Sequence, residues 1–249
     1  MSDIDIDADS NTQLLLIAGE STTGKSASLM NIRDQQDWLY LGTEAGKRLP
    51  FANKFQEHKI TDPYQVHEAF EYGIENPEIK GIIVDSLTFL MDMLESQYIL
   101  TAADTRSAWG EYQQFFKHMM QVLVPTFNRP VIFTAHTRSD YDESTMRMAT
   151  AVPIKGALKG TGVEAYFSTT VSTKIMSLKE LEPYKSDMLT ITEDDKLIDV
   201  KNVFQTRHTK KTTGERIRSP IGFFGVNETY TNNDAQMILD HLNKLYNGE

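Results

Sequence analysis

Residues 19–26 read GESTTGKS, a glycine followed by four residues and then by Gly-Lys-Ser. The apolar run QLLLIA at residues 13–18 stands directly before this stretch and has the pattern of a buried parallel strand. A glycine-rich loop that connects a buried strand to a helix is the arrangement in which backbone N–H groups enclose a phosphate group. The eight residues therefore predict a phosphate site at the end of the first strand, and a helix from residue 25 to about residue 32.

Each part of this loop has an expected contact with a nucleoside triphosphate. The backbone N–H groups of residues 20–26 are expected to point at the β-phosphate, and Gly24 allows the backbone to approach it closely. Lys25 is expected to reach the β- and γ-oxygens, and the Ser26 hydroxyl to bind Mg²⁺. ATP and Mg²⁺ are the predicted ligands. The predicted nucleotide-binding residues are Gly19, Glu20, Ser21, Thr22, Thr23, Gly24, Lys25 and Ser26.

Two carboxylates follow apolar strands further along the chain. Asp85 comes after the strand expected at residues 79–84 and is the predicted second Mg²⁺ ligand, with capping of the next helix as the alternative. Glu44 ends the stretch WLYLGTE at residues 38–44, so it lies where parallel strands open onto a phosphate crevice. Glu44 is therefore the candidate that activates water for hydrolysis. A solvated loop carboxylate is its alternative, and Glu20 is a weaker candidate.

Composition and charge limit the class of protein. The chain has 249 residues, 40% of them hydrophobic and 24% charged, which is an ordinary globular balance. No stretch approaches the roughly 18 apolar residues of a membrane span, so no membrane partner is expected. The absence of cysteine excludes disulfides and thiolate metal sites, and it is typical of the cytoplasm, the expected location.

The charge distribution bears on nucleic-acid binding. A net charge of −10 argues against a surface covered with phosphate contacts. Residues 200–219 nevertheless contain six Lys or Arg and a single Glu. A local basic element on an acidic protein remains compatible with a narrow, controlled nucleic-acid contact.

The order of the patterns predicts the fold. Strand and helix patterns alternate up to the strand at residues 129–137, with amphipathic helices at 65–77 and 109–124. After residue 165 the sequence becomes strand-rich, and a last helix at 233–246 is expected to be capped by Asn232 or Asn233. We predict a three-layer α/β/α fold with a mostly parallel central sheet and C-terminal antiparallel strands. Residues 1–12 are expected to form a flexible acidic tail, with a short edge strand from the Ile-Asp alternation as the alternative, and residues 13–249 a single domain.

The motif order resembles the RecA-like P-loop ATPase core. That family has a phosphate loop, a catalytic Glu after the next strand, VDS at the magnesium strand and an amide residue ending the strand after it. Here VDS occupies residues 84–86, and His136 stands at the last place, in VIFTAHT. The resemblance implies that His136 senses the γ-phosphate, as a catalytic residue with Lys25 and Glu44; an ordinary core or rim histidine is the alternative. The small size is similar to that of phage-encoded RecA-like recombination and single-strand annealing ATPases.

The resemblance also implies two further elements. In recombinases the loop after the sensor binds single-stranded DNA; here that loop is residues 138–162, expected to lack regular structure. A plain mobile surface loop is the alternative, and residues 101–109 correspond loosely to the other DNA loop. The stretch at residues 206–224 resembles a late hairpin, from which a cation crosses to the next subunit's γ-phosphate; a solvated basic hairpin is the alternative. The DNA-binding candidates are Arg138, Arg147, Lys155 and Lys159, and the trans-acting candidates are Arg207, Lys210 and Lys211.

These expectations lead to one leading functional hypothesis and three alternatives. The leading one is an ATP-hydrolysing DNA recombination or single-strand annealing protein, which oligomerises as a filament or ring on single-stranded DNA beside other recombination or replication proteins. The first alternative is a ring-forming helicase-like or loader ATPase. The second is a nucleotide-gated protein-interaction module that does not bind DNA. A small-molecule kinase is disfavoured, because no lid or acceptor pocket is evident in the sequence.

Overall fold

An eight-stranded sheet forms the centre of the protein. The computed structural model describes residues 11–44, 46–143 and 146–247. The spatial strand order is β10-β9-β8-β1-β5-β4-β2-β3, and β6 and β7 form a separate hairpin. The strands are β1 Leu14–Gly19, β2 Trp38–Gly42, β3 Gln56–Lys59, β4 Gly81–Asp85, β5 Val131–His136, β6 Arg138–Asp142, β7 Arg147–Ala151, β8 Thr169–Ser177, β9 Val200–Gln205 and β10 Tyr230–Asn232.

Strand direction brings the ends of the motif-bearing strands together. The six strands that are neighbours in the order β8-β1-β5-β4-β2-β3 run parallel to one another. Strand β9 is antiparallel to β8, and β10 is antiparallel to β9. In this register Gly19 lies opposite His136, and Gly42 lies opposite Asp85. The carboxyl ends of β1, β2, β4 and β5 therefore meet at one edge of the sheet.

Helices cover both faces of the sheet. Within the described ranges, five of them are longer than four residues, and short π-helical turns at Glu95–Ile99 and Met119–Leu123 follow the second and third helices. The helices are α1 Tyr64–Glu75, α2 Leu87–Leu94, α3 Thr105–His118, α4 Val124–Phe127, α5 Leu158–Thr161, α6 Leu178–Leu181, α7 Glu193–Ile198 and α8 Ala235–Asn247. None of the helices in the described residues has both the length and the apolar character needed to cross a membrane.

The alternating side chains of β1 divide the interior into two cores. Leu14 and Leu16 pack into a cluster with buried side chains of α1, α2, α3 and α4. Leu15 and Ile17 point to the opposite face and join a second cluster that includes residues of α8. Successive residues of a strand face opposite sides of the sheet, so a strand that is apolar throughout requires cover on both sides. The predicted three-layer α/β/α fold with C-terminal antiparallel strands is confirmed.

The segment after the glycine-rich loop differs from the predicted helix over residues 25–32. The structure has only a short 3₁₀ turn, Ser26–Leu29, followed by further turns. Serine hydroxyls compete for backbone groups, which weakens a helix. The hydroxyl of Ser28 donates to the carbonyl oxygen of Lys25 at 2.6 Å in this manner.

The segment at residues 138–162 is also more ordered than predicted. Instead of a loop without regular structure, it contains the hairpin of β6 and β7 and the short helix α5. The two strands pair antiparallel, and the hydroxyl groups of Ser139 and Thr150 hydrogen-bond across them at 2.8 Å. Small polar residues are typical of loops, but here the hydroxyl groups of two of them join two strands.

The C-terminal third follows the prediction only in part. Strands β8 and β9 form, but the stretch before β9 is the helix α7, which starts in a capping box of Thr192 and Asp195. The predicted late hairpin at residues 206–224 is wrong, because this segment runs through turns with isolated bridges to Thr150 and Thr170. Pro220 lacks the N–H group that a continuous strand ladder requires.

The ends of the domain differ from prediction in one detail. Helix α8 is capped by Asp234, whose carboxylate accepts from the backbone N–H groups of Gln236 and Met237 at 2.9 and 3.3 Å. The predicted cap was Asn232 or Asn233. Most of the predicted acidic tail, residues 1–10, lies outside the described residues, and the single-domain assignment stays a prediction. Of the tail, Asn11 donates to the carbonyl oxygen of Arg129 at 2.7 Å.

A buried histidine makes the stability of this fold sensitive to acid. His67 is 9% exposed, its ring stacks on Phe115 with centroids 4.2 Å apart, and the ring of His118 lies at 5.3 Å. Burial, with a smaller effect of His118, lowers the pKa of His67 to about 4. An unfolded histidine has a pKa near about 6.5, so between these values the unfolded chain binds more protons and stability falls as the pH falls.

We expect this residue to cost the protein about 3 kcal/mol of unfolding free energy between pH 7 and pH 4. His67→Phe keeps the ring contact and removes the titrating group, so the variant is expected to lose that much less stability over the same range. Urea denaturation of both proteins at several pH values measures the difference. An equal loss in wild type and variant would contradict the assignment.

Candidate active site

The glycine-rich loop, residues 19–26, lies at the carboxyl edge of the sheet directly after β1. Thr22 and Gly24 have positive φ angles, 68° and 98°, which turn the chain back on itself. Side chains from the C-terminal part of the protein hold the outside of this turn. The amide nitrogen of Asn202 donates to the carbonyl oxygen of Thr23 at 3.0 Å, and that of Asn233 donates to the carbonyl oxygen of Gly24 at 2.9 Å.

These amides give a structural reason for glycine at position 24. A Cβ atom there would lie 2.7 Å from the amide nitrogen of Asn233 and 2.9 Å from that of Asn202. Both distances are shorter than the contacts that real side chains make. Because Asn202 and Asn233 hold carbonyl groups on the outside, they favour a loop conformation with N–H groups on the inside.

Lys25 lies beneath the loop. Its side chain is 6% exposed, and Nζ donates to the carbonyl oxygens of Gly19 at 3.0 Å and Glu20 at 2.7 Å. Burial lowers the pKa of Lys25 to about 8, and the nearby carboxylate of Asp85 partly opposes this shift. The ammonium group is thus held by carbonyl groups of the loop, and within the described residues it makes no hydrogen bond to a carboxylate.

Three hydroxyl groups converge on the buried carboxylate of Asp85. Ser26 and Tyr40 each donate to Oδ2 at 2.8 Å, and Thr134 donates to Oδ1. Burial and the negative charge of Asp85 raise the pKa of Tyr40 well above its usual range, so this phenol stays a proton donor. The peptide bond between Asp85 and Ser86 is cis.

The adjacent oxygens of Ser26 and Asp85 fit a magnesium–nucleotide complex. Mg²⁺ is commonly held by one or two carboxylates together with substrate phosphates, and it keeps several waters. The described residues contain no cluster of three or more His, Cys, Asp or Glu side chains that could hold a metal alone. The donor set therefore suits an ion that arrives with phosphate oxygens of its own.

Glu44 lies next to His136 at the same edge. Glu44 Oε1 and His136 Nε2 are 3.3 Å apart, and Lys47 Nζ lies 2.5 Å from Glu44 Oε2. Burial opposes ionisation of Glu44, but the hydrogen bonds from Lys47 and His136 outweigh it and lower its pKa. Glu44 is therefore a carboxylate at neutral pH, held on both oxygens.

The ends of β2, β4 and β5 are joined by threonine hydroxyls. The Thr43 hydroxyl donates to the carbonyl oxygen of Ser86 at 2.8 Å and accepts from its N–H group at 2.7 Å. The hydroxyl of Thr88 accepts from the backbone N–H of His136 at 2.9 Å. These contacts fix the two strand ends that carry Glu44 and His136 relative to Asp85.

Comparison with known proteins identifies the family to which the chain belongs. A family model described as an AAA domain matches residues 11–214. The chain belongs to this AAA domain family. The match covers the glycine-rich loop, Glu44, Asp85 and His136, so this is a P-loop ATPase-type domain. No curated protein matches the chain. The closer resemblance to recombination and annealing ATPases stays a prediction.

The predicted DNA-binding residues of this AAA domain are not gathered at one place. In the β6–β7 hairpin, Arg138 lies opposite Ala151 and Arg147 lies opposite Asp142, at the two ends of the ladder. Arg138 is paired with Asp140 at 2.9 Å, and Lys155 is paired with Glu95 at 2.6 Å. Lys159 lies on α5, and most of the other predicted DNA segment, residues 101–109, belongs to the start of α3.

The predicted trans-acting residues of the AAA domain do lie together. Arg207, Lys210 and Lys211 all line a cleft of about 770 Å³ beside β8 and α6. Arg207 Nη1 donates to the carbonyl oxygen of Phe224 at 2.5 Å, and Lys211 Nζ lies 3.3 Å from Glu180. Their action on a neighbouring subunit stays a prediction.

Sequence reasoning missed most of the residues that support the site. The missed residues include hydroxyl groups in strands and amide groups far from the loop in sequence. A polar residue inside an otherwise apolar strand, as in VIFTAH, is a signal that could have found one of them. The supporting residues that sequence reasoning missed are Tyr40, Thr43, Thr88, Thr134, Asn202 and Asn233.

Tyr40→Phe tests the arrangement around Asp85. The variant keeps the ring, which packs on Phe55 with centroids 6.0 Å apart, and removes one donor to the carboxylate. Loss of such a supporting hydrogen bond typically weakens a metal site, so we expect the Mg²⁺ concentration for half-maximal ATP hydrolysis to rise about tenfold. Tyr72→Phe, at an exposed tyrosine, is the matched control. Equal Mg²⁺ requirements in both variants would exclude a supporting role for Tyr40.

Proposed function

We propose that this AAA domain binds and hydrolyses magnesium-ATP and couples hydrolysis to single-stranded DNA in recombination or strand annealing. One observation carries the catalytic part of the proposal. Lys25, the Ser26–Asp85 pair and the Glu44–His136 pair converge at a single edge of the sheet. A phosphate loop, a magnesium site and a water-activating carboxylate are the three parts that ATP hydrolysis requires.

Nucleotide binding in this proposal uses Lys25, Ser26 and Asp85. Lys25 exchanges the carbonyl oxygens of Gly19 and Glu20 for the β- and γ-phosphate oxygens, which bind an ammonium group more strongly. Ser26 and Asp85 would hold Mg²⁺, and the charge of the ion would neutralise phosphate oxygens during transfer of the γ-phosphoryl group. The hydroxyl groups of Tyr40 and Thr134 keep the Asp85 carboxylate oriented.

Hydrolysis is assigned to Glu44. A carboxylate that is ionised at neutral pH accepts a proton from water or orients it toward the γ-phosphate. The hydrogen bond with Lys47 and the contact with His136 fix the position of both carboxylate oxygens. Fixed orientation of the attacking group lowers the entropic part of the barrier.

Coupling is assigned to the β6–β7 hairpin. The backbone N–H of Thr137 donates to the carbonyl oxygen of Gly19 at 3.0 Å, and β6 begins at the next residue. The hairpin is thus attached to the phosphate loop at Thr137 and to Glu44 through His136. In the proposal, a change at the γ-phosphate shifts His136 and is passed to the hairpin within two residues.

Two features support single-stranded DNA as the partner. The motif order resembles recombination ATPases, which act as filaments or rings on DNA. The hairpin also exposes Tyr141, 57% accessible, and Met148, 52% accessible. An exposed aromatic side chain can stack on an unpaired base. A ring-forming helicase-like or loader ATPase uses the same parts, and directional strand displacement on a forked duplex would identify it.

A nucleotide-gated protein-interaction module is the second candidate. The net charge of −10 and the pairing of Arg138 with Asp140 favour it, because both weaken attraction to phosphate. Titration of a labelled oligonucleotide at increasing salt separates the candidates. Phosphate contacts weaken steeply as salt rises, whereas a domain that binds only protein gives no oligonucleotide signal at any salt concentration.

Two substitutions test the division of roles within the site. Lys25→Ala removes a charge-assisted phosphate contact, so we expect ATP affinity to fall about 10- to 100-fold. Glu44→Gln is expected to retain ATP binding and lower the hydrolysis rate about 100- to 10,000-fold. Glu20→Gln changes an exposed loop carboxylate and is the control. A full hydrolysis rate in Glu44→Gln, with loss in Glu20→Gln, would assign the water to Glu20.

His136 is tested by the ratio of hydrolysis rates with and without single-stranded DNA. His136→Ala is expected to bring this ratio close to one, because the contact between Glu44 and the hairpin is lost. His136→Gln keeps a donor to Glu44 and is expected to retain the stimulation. His58→Ala, at an exposed histidine of β3, is the control. Equal stimulation in all three variants would count against a sensor role.

A further inference from the structure

A basic cleft lies outside the active site, between β8, α6 and the turns that follow β9. Its volume is about 770 Å³, within the range of ligand-binding clefts. Five of the chain's 25 Lys and Arg residues line it, and Glu180 is the single acidic residue among the lining residues. The basic lining residues are Lys174, Lys179, Arg207, His208, Lys210 and Lys211. Such a concentration of positive charge stands out in a chain with a net charge of −10.

The charge in the basic cleft is only partly neutralised. Lys174 is paired with Glu215 at 2.5 Å, and Lys211 lies 3.3 Å from Glu180. Arg207 binds a backbone carbonyl oxygen. Within the described residues, Lys179, Arg207 and Lys210 form no ion pair. The cleft therefore keeps an excess of positive charge and suits a ligand with several negative groups.

Two tyrosine rings line the same basic cleft. The rings of Tyr184 and Tyr230 meet edge to face, with centroids 4.9 Å apart. Tyr230 is buried, which anchors the pair, while Tyr184 is only partly buried and lines the cleft. A positively charged groove with an aromatic side chain is the usual construction of sites for single-stranded nucleic acid.

We propose that the basic cleft binds single-stranded nucleic acid, with the phosphodiester backbone along Lys179, Arg207 and Lys210 and a base against Tyr184. The proposal rests on the proposed function, since it gives the DNA partner a binding site. It adds to the β6–β7 hairpin a second contact, apart from residues 138–162, where Arg138 and Lys155 are already paired with carboxylates. The cations come from two separate elements, α6 and the turns after β9, and this spread suits several phosphates of one chain better than the single γ-phosphoryl group of a neighbouring subunit.

The basic cleft also has a short connection to the phosphate loop. Lys174 lines both this cleft and a second cleft of about 340 Å³ beside residues 19–23. The adjacent residue, Thr173, hydrogen-bonds to Thr23 in the phosphate loop. A nucleic-acid strand that contacts Lys174 would thus lie one residue along β8 from the hydrogen bond between Thr173 and the phosphate loop. This gives bound nucleic acid a route to affect hydrolysis.

The test is the affinity of the 249-residue chain for labelled oligothymidylate, measured by fluorescence anisotropy without nucleotide. Lys179→Ala combined with Lys210→Ala is expected to raise Kd at least about tenfold and to reduce the slope of log Kd against log salt by about 1.4. Lys54→Ala combined with Lys59→Ala removes the same charge from exposed lysines elsewhere and is expected to leave Kd and slope unchanged. Equal affinity of both double variants would overturn the proposal.

Tyr184 provides a second measurement that does not depend on net charge. Tyr184→Ala is expected to raise Kd about tenfold through loss of base stacking, and Tyr184→Phe to retain wild-type affinity. Polyglutamate is the competitor for general affinity to anions. Displacement of the oligonucleotide by an equal charge concentration of polyglutamate would overturn the proposal in favour of an acidic protein partner.

The outcomes separate this proposal from the proposed function. If Arg147→Ala with Lys159→Ala loses binding while the cleft variants retain it, the proposed DNA function stands and the cleft site is wrong. If wild type binds no oligonucleotide but hydrolyses ATP, the DNA part of both proposals fails. If the cleft variants lose ATP hydrolysis at unchanged oligonucleotide Kd, the cleft contacts a neighbouring subunit's nucleotide, and the proposal is overturned.

Discussion

The hydrogen bond between Ser26 and Asp85 is the contact on which the arrangement of the site depends. It connects the phosphate loop after β1 with the end of β4, although β5 lies between these two strands in the sheet. Thr134 of β5 binds the same carboxylate and fills the gap between them. A buried carboxylate without hydrogen bonds would be costly, so this set of hydroxyl donors is needed for the fold. In the proposed function the same donors orient the carboxylate that holds the magnesium ion.

In the proposed function, the same edge of the sheet connects ATP hydrolysis with the β6–β7 hairpin. Glu44 and His136 contact each other across the ends of β2 and β5, and Thr137 binds the backbone of the phosphate loop. Because each of these strand ends is bonded to another, none of them can shift without changing a contact of its neighbour. A change in one bond is transmitted to its neighbours when packed elements have discrete alternative arrangements.

Part of this description could be predicted from sequence, for a physical reason. The glycine-rich loop and Asp85 are local patterns, each defined by residues adjacent to one apolar strand. The positions of Asn202 and Asn233 could not be predicted, because their partners lie 179 and 209 residues away in the chain. The β6–β7 hairpin could not be predicted because its strands are mostly exposed and carry no regular apolar alternation. They are joined by pairing with each other and by a bridge from Thr150 to Glu215, which is 65 residues away in the chain.

The amide of Asn233 on Gly24 has a consequence for the limits of the functional unit. The family match ends at residue 214, yet Asn233 and α8, which covers one face of the sheet, follow it. A fragment cut at that border would contain every motif and would still lack one of the two side chains that hold the phosphate loop in shape. The packing of this protein therefore extends beyond the region that defines its family, and a fragment has to include α8 to keep every contact that positions the loop.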